Sequence, residues 1–422
     1  MRFRRSALPV LLLAVTVAAG CQESATPSSG GKASAGRPTV AGQVALPPPT
    51  GPYKVGTTSL HLVDHGRRDP WTPSRARELM VSVWYPASAS SGKKYVPQMT
   101  AKAAAHFGSK QGAATSNLGM PPGKADWGAV RTHATADAPV ARKAGRLPVV
   151  LYSSGLADPR TWNTTLVEDL ASRGYAVVTI DHTAEASEVE FPGGRLVTGR
   201  LTEGGPPSSP AEVTALLKKT MSARVADARF VLDRLPGISR GRFGGAFDLG
   251  RVGMAGQSAG GFTAAQTMHD DRRVRAGVNM DGQMDYTGGK PDGSELSTVA
   301  RDGLDRPLLL MGTDAEGSGD HTKQPSWNAF WRNTRGWKGD VTMTGSRHAT
   351  YTDAEALLPP LAEQGIVPQG GLTGAVGTVR PARAIAAERA YVASFFDRWL
   401  RGRDDHLLDG ASPRFPEMRF TA

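Results

Sequence analysis

The sequence predicts an α/β protein with a mainly parallel, doubly wound sheet and helices on both faces. Three observations carry that prediction. Short apolar runs rich in Val, Ile and Leu recur without polar alternation, as in strands buried on both faces. Amphipathic segments of helical period separate them. Glycine or a polar turn residue closes each run, where such sheets place their chemistry.

The elements follow in order. Residues 79–85 alternate and stop at Pro86, which reads as a strand. Residues 147–153 form a continuous apolar run leading to Gly155, a buried strand. Residues 164–173 place Leu166, Val167 and Leu170 on one side of a helix that Gly174 stops. A second buried strand spans 175–181, and a helix covers 223–235 through Val225, Ala228, Val231 and Leu232. A strand at 251–255, a helix at 260–268 and a strand at 275–280 come next. Strands at 307–311 and 341–344 and a closing helix at 383–399 complete the pattern.

Composition bounds the function. The chain has 422 residues, 39% hydrophobic and 21% charged, enough apolar bulk for a large core. A single cysteine excludes intramolecular disulfides, Cys-rich zinc modules and iron–sulfur clusters. The net charge of +11 is scattered among 39 acids rather than drawn into a basic stripe with aromatics, so nucleic-acid binding is not expected.

The lone cysteine sits in a targeting segment. Arg2, Arg4 and Arg5 precede an apolar run over 7–19, then Ala18-Ala19-Gly20-Cys21. The run is too short to span a bilayer comfortably. This looks like a bacterial lipobox, so residues 1–20 are expected to be a lipoprotein signal peptide and Cys21 the lipidation site. An exported, extracytoplasmic protein anchored to the cell membrane follows, with plain secretion as the alternative. Residues 21–50 are Ser, Gly, Ala and Pro-rich and read as a flexible tether. Residues 51–422 are expected to form one catalytic domain.

Gly256-Gln257-Ser258-Ala259-Gly260 matches G-x-S-x-G between a strand and a helix of small residues, the context a nucleophile elbow requires. No Gly-Lys pair is followed by Ser or Thr, so a phosphate-binding P-loop is absent. A serine nucleophile needs a base and an orienting acid farther along the chain. Of the nine histidines, His321, His348 and His406 remain as bases. His348 follows the last strand in Gly345-Ser346-Arg347-His348 and is the expected base. Asp281 and Asp314 each end a strand, and spacing alone leaves both open as the acid. The oxyanion donors are expected to be the amides of Ala259 and Leu156, the latter in Ser154-Gly155-Leu156 after a buried strand.

Together these residues resemble the platelet-activating-factor acetylhydrolase-like group of α/β-hydrolases. The resemblance runs from Gly51 to about Trp399. It rests on Val83-Trp84-Tyr85-Pro86, Ser154-Gly155-Leu156, Ile180-Asp181-His182, the elbow at Ser258, Met280-Asp281 and the Gly-Ser-x-His at 345–348. It implies an α/β-hydrolase fold, Asp281 rather than Asp314 as the acid, and Leu156 as an oxyanion donor. The family often has His-Gly where this chain has Ser154-Gly155. The activity implied is that of a cofactor- and metal-independent serine esterase, cleaving short-chain acyl esters including phospholipid-derived ones. Polyester- or triglyceride-type esterases are the alternative, and a non-catalytic ligand-binding surface lipoprotein is the reading from another class.

Other features weigh less. His61 and His65 lack the intervening Glu of a zinc helix. Asp314, Glu316, Ser318 and Asp320 alternate like calcium ligands without the remaining loop residues. Residues 186–219 form a Gly, Pro and Ser-rich insertion that fits a lid or a surface excursion equally. Trp162, Trp327, Phe330, Trp331 and Trp337 are candidates for an acyl pocket or for core.

Overall fold

A computed structural model describes residues 42–88, 94–288, 293–315 and 318–422. Cys21, the signal segment and most of the tether lie outside the described residues.

The strands are β1 (Lys54–Arg68), β2 (Ala76–Ala87), β3 (Tyr95–Pro97), β4 (Arg131–Ala136), β5 (Leu147–Ser153), β6 (Ala176–Asp181) and β7 (Glu188–Phe191). They continue as β8 (Arg195–Thr198), β9 (Phe247–Gln257), β10 (Val274–Met280), β11 (Leu308–Thr313), β12 (Lys338–Met343) and β13 (Met418–Phe420). The helices are α1 (Ala101–Phe107), α2 (Ala113–Ser116), α3 (Thr164–Ser172), α4 (Pro210–Arg242) and α5 (Ala259–Asp270). After them come α6 (Thr298–Asp302), α7 (Pro325–Asn333), α8 (Ala354–Glu363), α9 (Gln369–Val376) and α10 (Pro381–Arg401).

Among the described residues, eleven strands form one sheet in the order β13-β12-β11-β10-β9-β5-β6-β2-β1-β4-β3. The six central strands, β12 through β6, are parallel. The chain thus has an α/β-hydrolase fold. Successive side chains of a strand point to opposite faces, and the core divides accordingly. Val149 and Leu151 of β5 face α4, α5, α6 and α7 with Val231, Phe262 and Phe330. Val150 and Tyr152 face α3 and α10 with Leu166, Leu170 and Phe396. A third cluster joins Phe107, Trp127 and Trp162 to Leu357, Leu358 and Leu361 of α8.

Two expectations change. The tether expected over 21–50 ends earlier, because residues 42–50 pack on the domain. Leu46 is buried, Arg389 donates to the carbonyls of Pro47 and Pro48, and Thr50 bonds Asp169 at 2.8 Å. Part of the 186–219 insertion is a hairpin, β7–β8, whose Glu188 bonds His106 of α1 at 2.9 Å. Phe191 packs with Met80 and Val189, so the hairpin carries its own small core.

Candidate active site

The backbone of the elbow fixes the groups around it. Ser258 has φ 56° and ψ −125°, a conformation L-residues adopt only under constraint. The constraint is visible. A Cβ at Gly260 would lie 1.9 Å from the carbonyl oxygen of Ser153, so α5 starts against the end of β5 with no room for a side chain. The amide of Ser258 donates to the carbonyl of Met280 at 2.7 Å. The serine is therefore held between the ends of β5 and β10, at the carboxyl edge of the sheet.

Asp281 follows β10 directly and also has a positive φ, 55°. Its Oδ2 lies 2.6 Å from Nδ1 of His348. Ser318 and Thr313 donate hydroxyls to the same carboxylate. The side-chain amide of Gln257 donates to the His348 carbonyl at 3.0 Å, tying the histidine segment to the elbow. Burial disfavours the imidazolium, but the hydrogen bond and charge of Asp281 outweigh it, with Asp158 adding to them. His348 is thus held above the ordinary imidazole range.

Asp314 does not meet the imidazole. Its carboxylate accepts from the Gly345 amide at 2.7 Å and caps the turn before His348. Of the two aspartates that spacing left open, Asp281 meets the imidazole and Asp314 meets the Gly345 amide. His321 stacks on Trp331 and bonds Asp340 at 2.7 Å, deep in the domain. His406 is exposed and paired with Asp409.

Leu156 and Ala259 lie in the two segments that meet at Gly260. Beneath Leu156 is a buried polar frame that sequence reading missed. Arg224, in mid-α4, donates to the carbonyls of Ser154 at 2.8 Å and Gly155 at 2.7 Å. Glu185 pairs with Arg224 at 2.8 Å and accepts the Ala157 amide at 2.7 Å. Both side chains are essentially inaccessible to water. Glu185 falls in the loop after β6, a window worth inspecting in any such sheet, whereas nothing local marks Arg224.

Ser153, His182 and Asp227 imitate a triad below this frame, at 2.9 Å and 3.1 Å. All three are buried, Arg224 donates to the Ser153 hydroxyl, and Asp227 is engaged by Arg77. Despite burial, Arg77 holds that carboxylate well below its usual range. This second constellation braces the sheet edge and offers no surface to a substrate.

Asp158 is a further carboxylate at the site. It is half-buried, bonds Asn117 only at 3.4 Å, and burial pushes it up to about 7. Of the candidate pocket aromatics, Trp162, Trp327 and Phe330 are core, and Trp337 packs on Phe395 and Trp399. Among the described residues, Asp404, His406 and Asp409 are the one group with metal-ligand spacing. Arg398 pairs with both of its acids, and it lies after α10, away from Ser258.

A family model for platelet-activating factor acetylhydrolase, isoform II, matches residues 38–191. A probable 1-alkyl-2-acetylglycerophosphocholine esterase of Arthroderma benhamiae is 27% identical over 408 residues, covering 89% of this chain and 93% of that one. A platelet-activating factor acetylhydrolase of Cavia porcellus is 22% identical over 400 residues, 87% of this chain and 84% of the relative. The solved structure of a ferulic acid esterase from Streptomyces cinnamoneus aligns with a TM-score of 0.72 at 38% identity. That alignment covers 90% of this chain and all of the esterase.

Proposed function

We propose that this carboxylic-ester hydrolase, an α/β-hydrolase similar to the platelet-activating-factor acetylhydrolases, works by a Ser258–His348–Asp281 triad. The carrying observation is the 2.6 Å bond between Asp281 and His348 beside a serine held at positive φ.

In this reading the Ser258 hydroxyl attacks the ester carbonyl while His348 Nε2 takes its proton. Asp281 fixes the tautomer through Nδ1 and stabilises the imidazolium without accepting the proton itself. The amides of Leu156 and Ala259 receive the oxyanion. His348 returns the proton to the leaving alcohol, leaving an acyl-serine. Water, deprotonated by the same imidazole, then releases the acid and regenerates the serine.

Short-chain acyl esters, phospholipid-derived ones included, are the proposed substrates, supported by the names of the relatives. The second reading is an aromatic-acyl ester, favoured by the 38% identity to a ferulic acid esterase. Hydrolysis of p-nitrophenyl acetate, p-nitrophenyl octanoate and methyl ferulate separates the readings. The acetate ester is expected to be preferred, and a higher kcat/KM on methyl ferulate would install the second. Ser258→Ala is expected to lower the rate roughly 10⁴-fold or more and to abolish fluorophosphonate labelling. An active or labelled variant would sink the triad.

The same proposal places the enzyme outside the cytoplasm on a lipid anchor at Cys21, supported by the Ala18-Ala19-Gly20-Cys21 motif. Among the described residues, no helix is long and apolar enough to cross a membrane. Fatty-acid labelling that persists in Cys21→Ser would overturn the anchor.

A further inference from the structure

At the end of the sheet opposite Ser258 lies a cleft of about 250 Å³ lined by Arg146, Arg173, Arg251, Arg401 and Arg403. Pro52 and Tyr53 form part of its wall, and no acidic side chain lines it. Lys143 stands over the Tyr53 ring, 5.7 Å from its centroid, and adds another cation beside it. Five guanidiniums around one opening repel one another, and only some are neutralised from behind. Arg401 pairs with Asp397 at 2.9 Å, Arg173 with Asp169 at 2.6 Å, and Arg251 loosely with Asp248 at 3.5 Å. Arg146 donates to the carbonyl of Phe247, which brings no charge. Arg403 makes no ion pair among the described residues and is exposed. The surplus is positive, open to solvent and built from the residue type best suited to phosphate oxygens.

The position of the cleft in the fold matters as much as its charge. Arg146 immediately precedes β5, whose other end leads into Ser154-Gly155-Leu156. Arg251 lies on β9, which ends one residue before Ser258. Gly174, also at the cleft, precedes β6, which ends at Asp181. Three neighbouring strands thus carry arginines or their supports at one end and the candidate active site at the other. Seven residues of β5 put roughly 23 Å between the two ends.

We propose that this arginine cleft docks the domain onto the phosphate headgroups of an anionic bilayer, turning the active site away from the membrane. The orientation half of the proposal rests on the Ser258 reading; the docking half does not. The anchor permits it. The chain between Cys21 and Gly42 reaches at most about 70 Å when extended, several times the length of a strand. An anchor that long leaves the domain's orientation open, and an anionic surface selects the basic end. Each arginine brought to such a surface strengthens binding about fivefold, and added salt weakens the attraction. A site turned outward takes its ester from the aqueous phase rather than from the membrane beneath it.

The test uses the full chain with Cys21→Ser, so that no acyl chain contributes, sedimented with vesicles of phosphatidylcholine alone or with phosphatidylglycerol added. Preferential binding to the anionic vesicles is expected. Arg251→Ala with Arg403→Ala, both exposed, is expected to weaken it about 25-fold. Hydrolysis of p-nitrophenyl acetate by the free double variant, and by wild type on vesicles, is expected to match that of free wild type. Equal binding to both vesicle types, or unchanged binding by the double variant, would overturn the docking. Displacement by glycerol phosphate at concentrations too low to screen charge would also overturn it, assigning the cleft to a small soluble phosphate. Loss of hydrolysis on vesicle binding would overturn the orientation. A protein that binds vesicles but hydrolyses no ester would leave the docking standing and remove the esterase reading.

Discussion

Arg224 holds the carbonyl of Gly155 at 2.7 Å from a helix that begins more than fifty residues later in the chain. That bond fixes the peptide plane that carries the Leu156 amide, and its twin to Ser154 fixes the plane before it. An oxyanion donor must be aimed before the charge develops, because reorientation during the reaction would consume the stabilisation it provides. The guanidinium bonds two carbonyls and Glu185 from one rigid plane, which an ammonium does not reproduce.

Arg224→Lys is therefore expected to lower kcat by about 10- to 100-fold while KM stays within a few fold, since misaiming a donor by about 1 Å has effects of that size. Fluorophosphonate active-site titration supplies the control. A purely structural role would reduce the titratable fraction and leave the rate per titrated site unchanged, and that result would remove Arg224 from the positioning of the oxyanion loop.

Asp281 and Asp314 provide the sharpest comparison in the site. Asp281→Asn leaves a neutral amide against Nδ1 that favours the wrong tautomer, and kcat is expected to fall about 10⁴-fold. Asp314→Asn keeps an acceptor for the Gly345 amide and is expected to cost less than about threefold, since it alters a capped turn and a loose pairing with Arg419 at 3.9 Å. Steady-state kinetics of the pair on one short-chain ester decides the assignment; comparable losses would refute it.

Much of this arrangement could be read before any coordinates, and the division has physical reasons. The six parallel strands stand out because burial on both faces forces continuous apolar runs, as in Val149, Val150 and Leu151. The elbow stands out because Gly256 and Gly260, two residues either side of Ser258, have no room for a side chain. By contrast β1 carries His61, Asp64 and His65 on a half-exposed strand, where Asp64 pairs locally with Arg67 and other polar partners come from other strands and helices. His61 meets Glu78 of β2 at 2.8 Å. The helix expected to end at Leu235 runs from Pro210 to Arg242. Pro236 removes one hydrogen bond, and the flanking helix tolerates it on a partly exposed face. Arg224 was illegible for a related reason. Its partners, the carbonyls of Ser154 and Gly155 and the carboxylate of Glu185, come from loops joined to it only by the fold.

The base should also report its surroundings through pH. His348 must be neutral to accept a proton, so the acid limb of kcat/KM is expected above the ordinary imidazole value of about 6.5. Asp158, whose own carboxyl is pushed up to about 7, adds to that shift where it is ionised. Asp158→Asn removes that charge without shortening the side chain, so the limb is expected to move to lower pH. A limb that stays in place, or moves to higher pH, would show that Asp158 does not act on the base.

Stability, too, is expected to depend on pH. Glu388 of α10 is buried beside Asp353, Asp169, Arg389 and Glu355. Its Oε1 has no hydrogen-bond partner among the described residues. Burial pushes Glu388 up to about 8, with Asp353 adding to the shift, and burial likewise lifts Glu355 to about 8. In the unfolded chain both titrate near 4.3. Between those values the native state therefore binds more protons than the unfolded one, and stability falls as pH rises. Each group contributes a slope of up to ~1.4 kcal/mol per pH unit. Thermal melts are expected to show Tm dropping from pH 5 to pH 8. Glu388→Gln mimics the protonated form, so it should raise Tm at pH 8 more than at pH 5 and flatten the dependence. The opposite order, with the variant losing most at pH 8, would mean that Glu388 is ionised in the folded enzyme and held by Arg389.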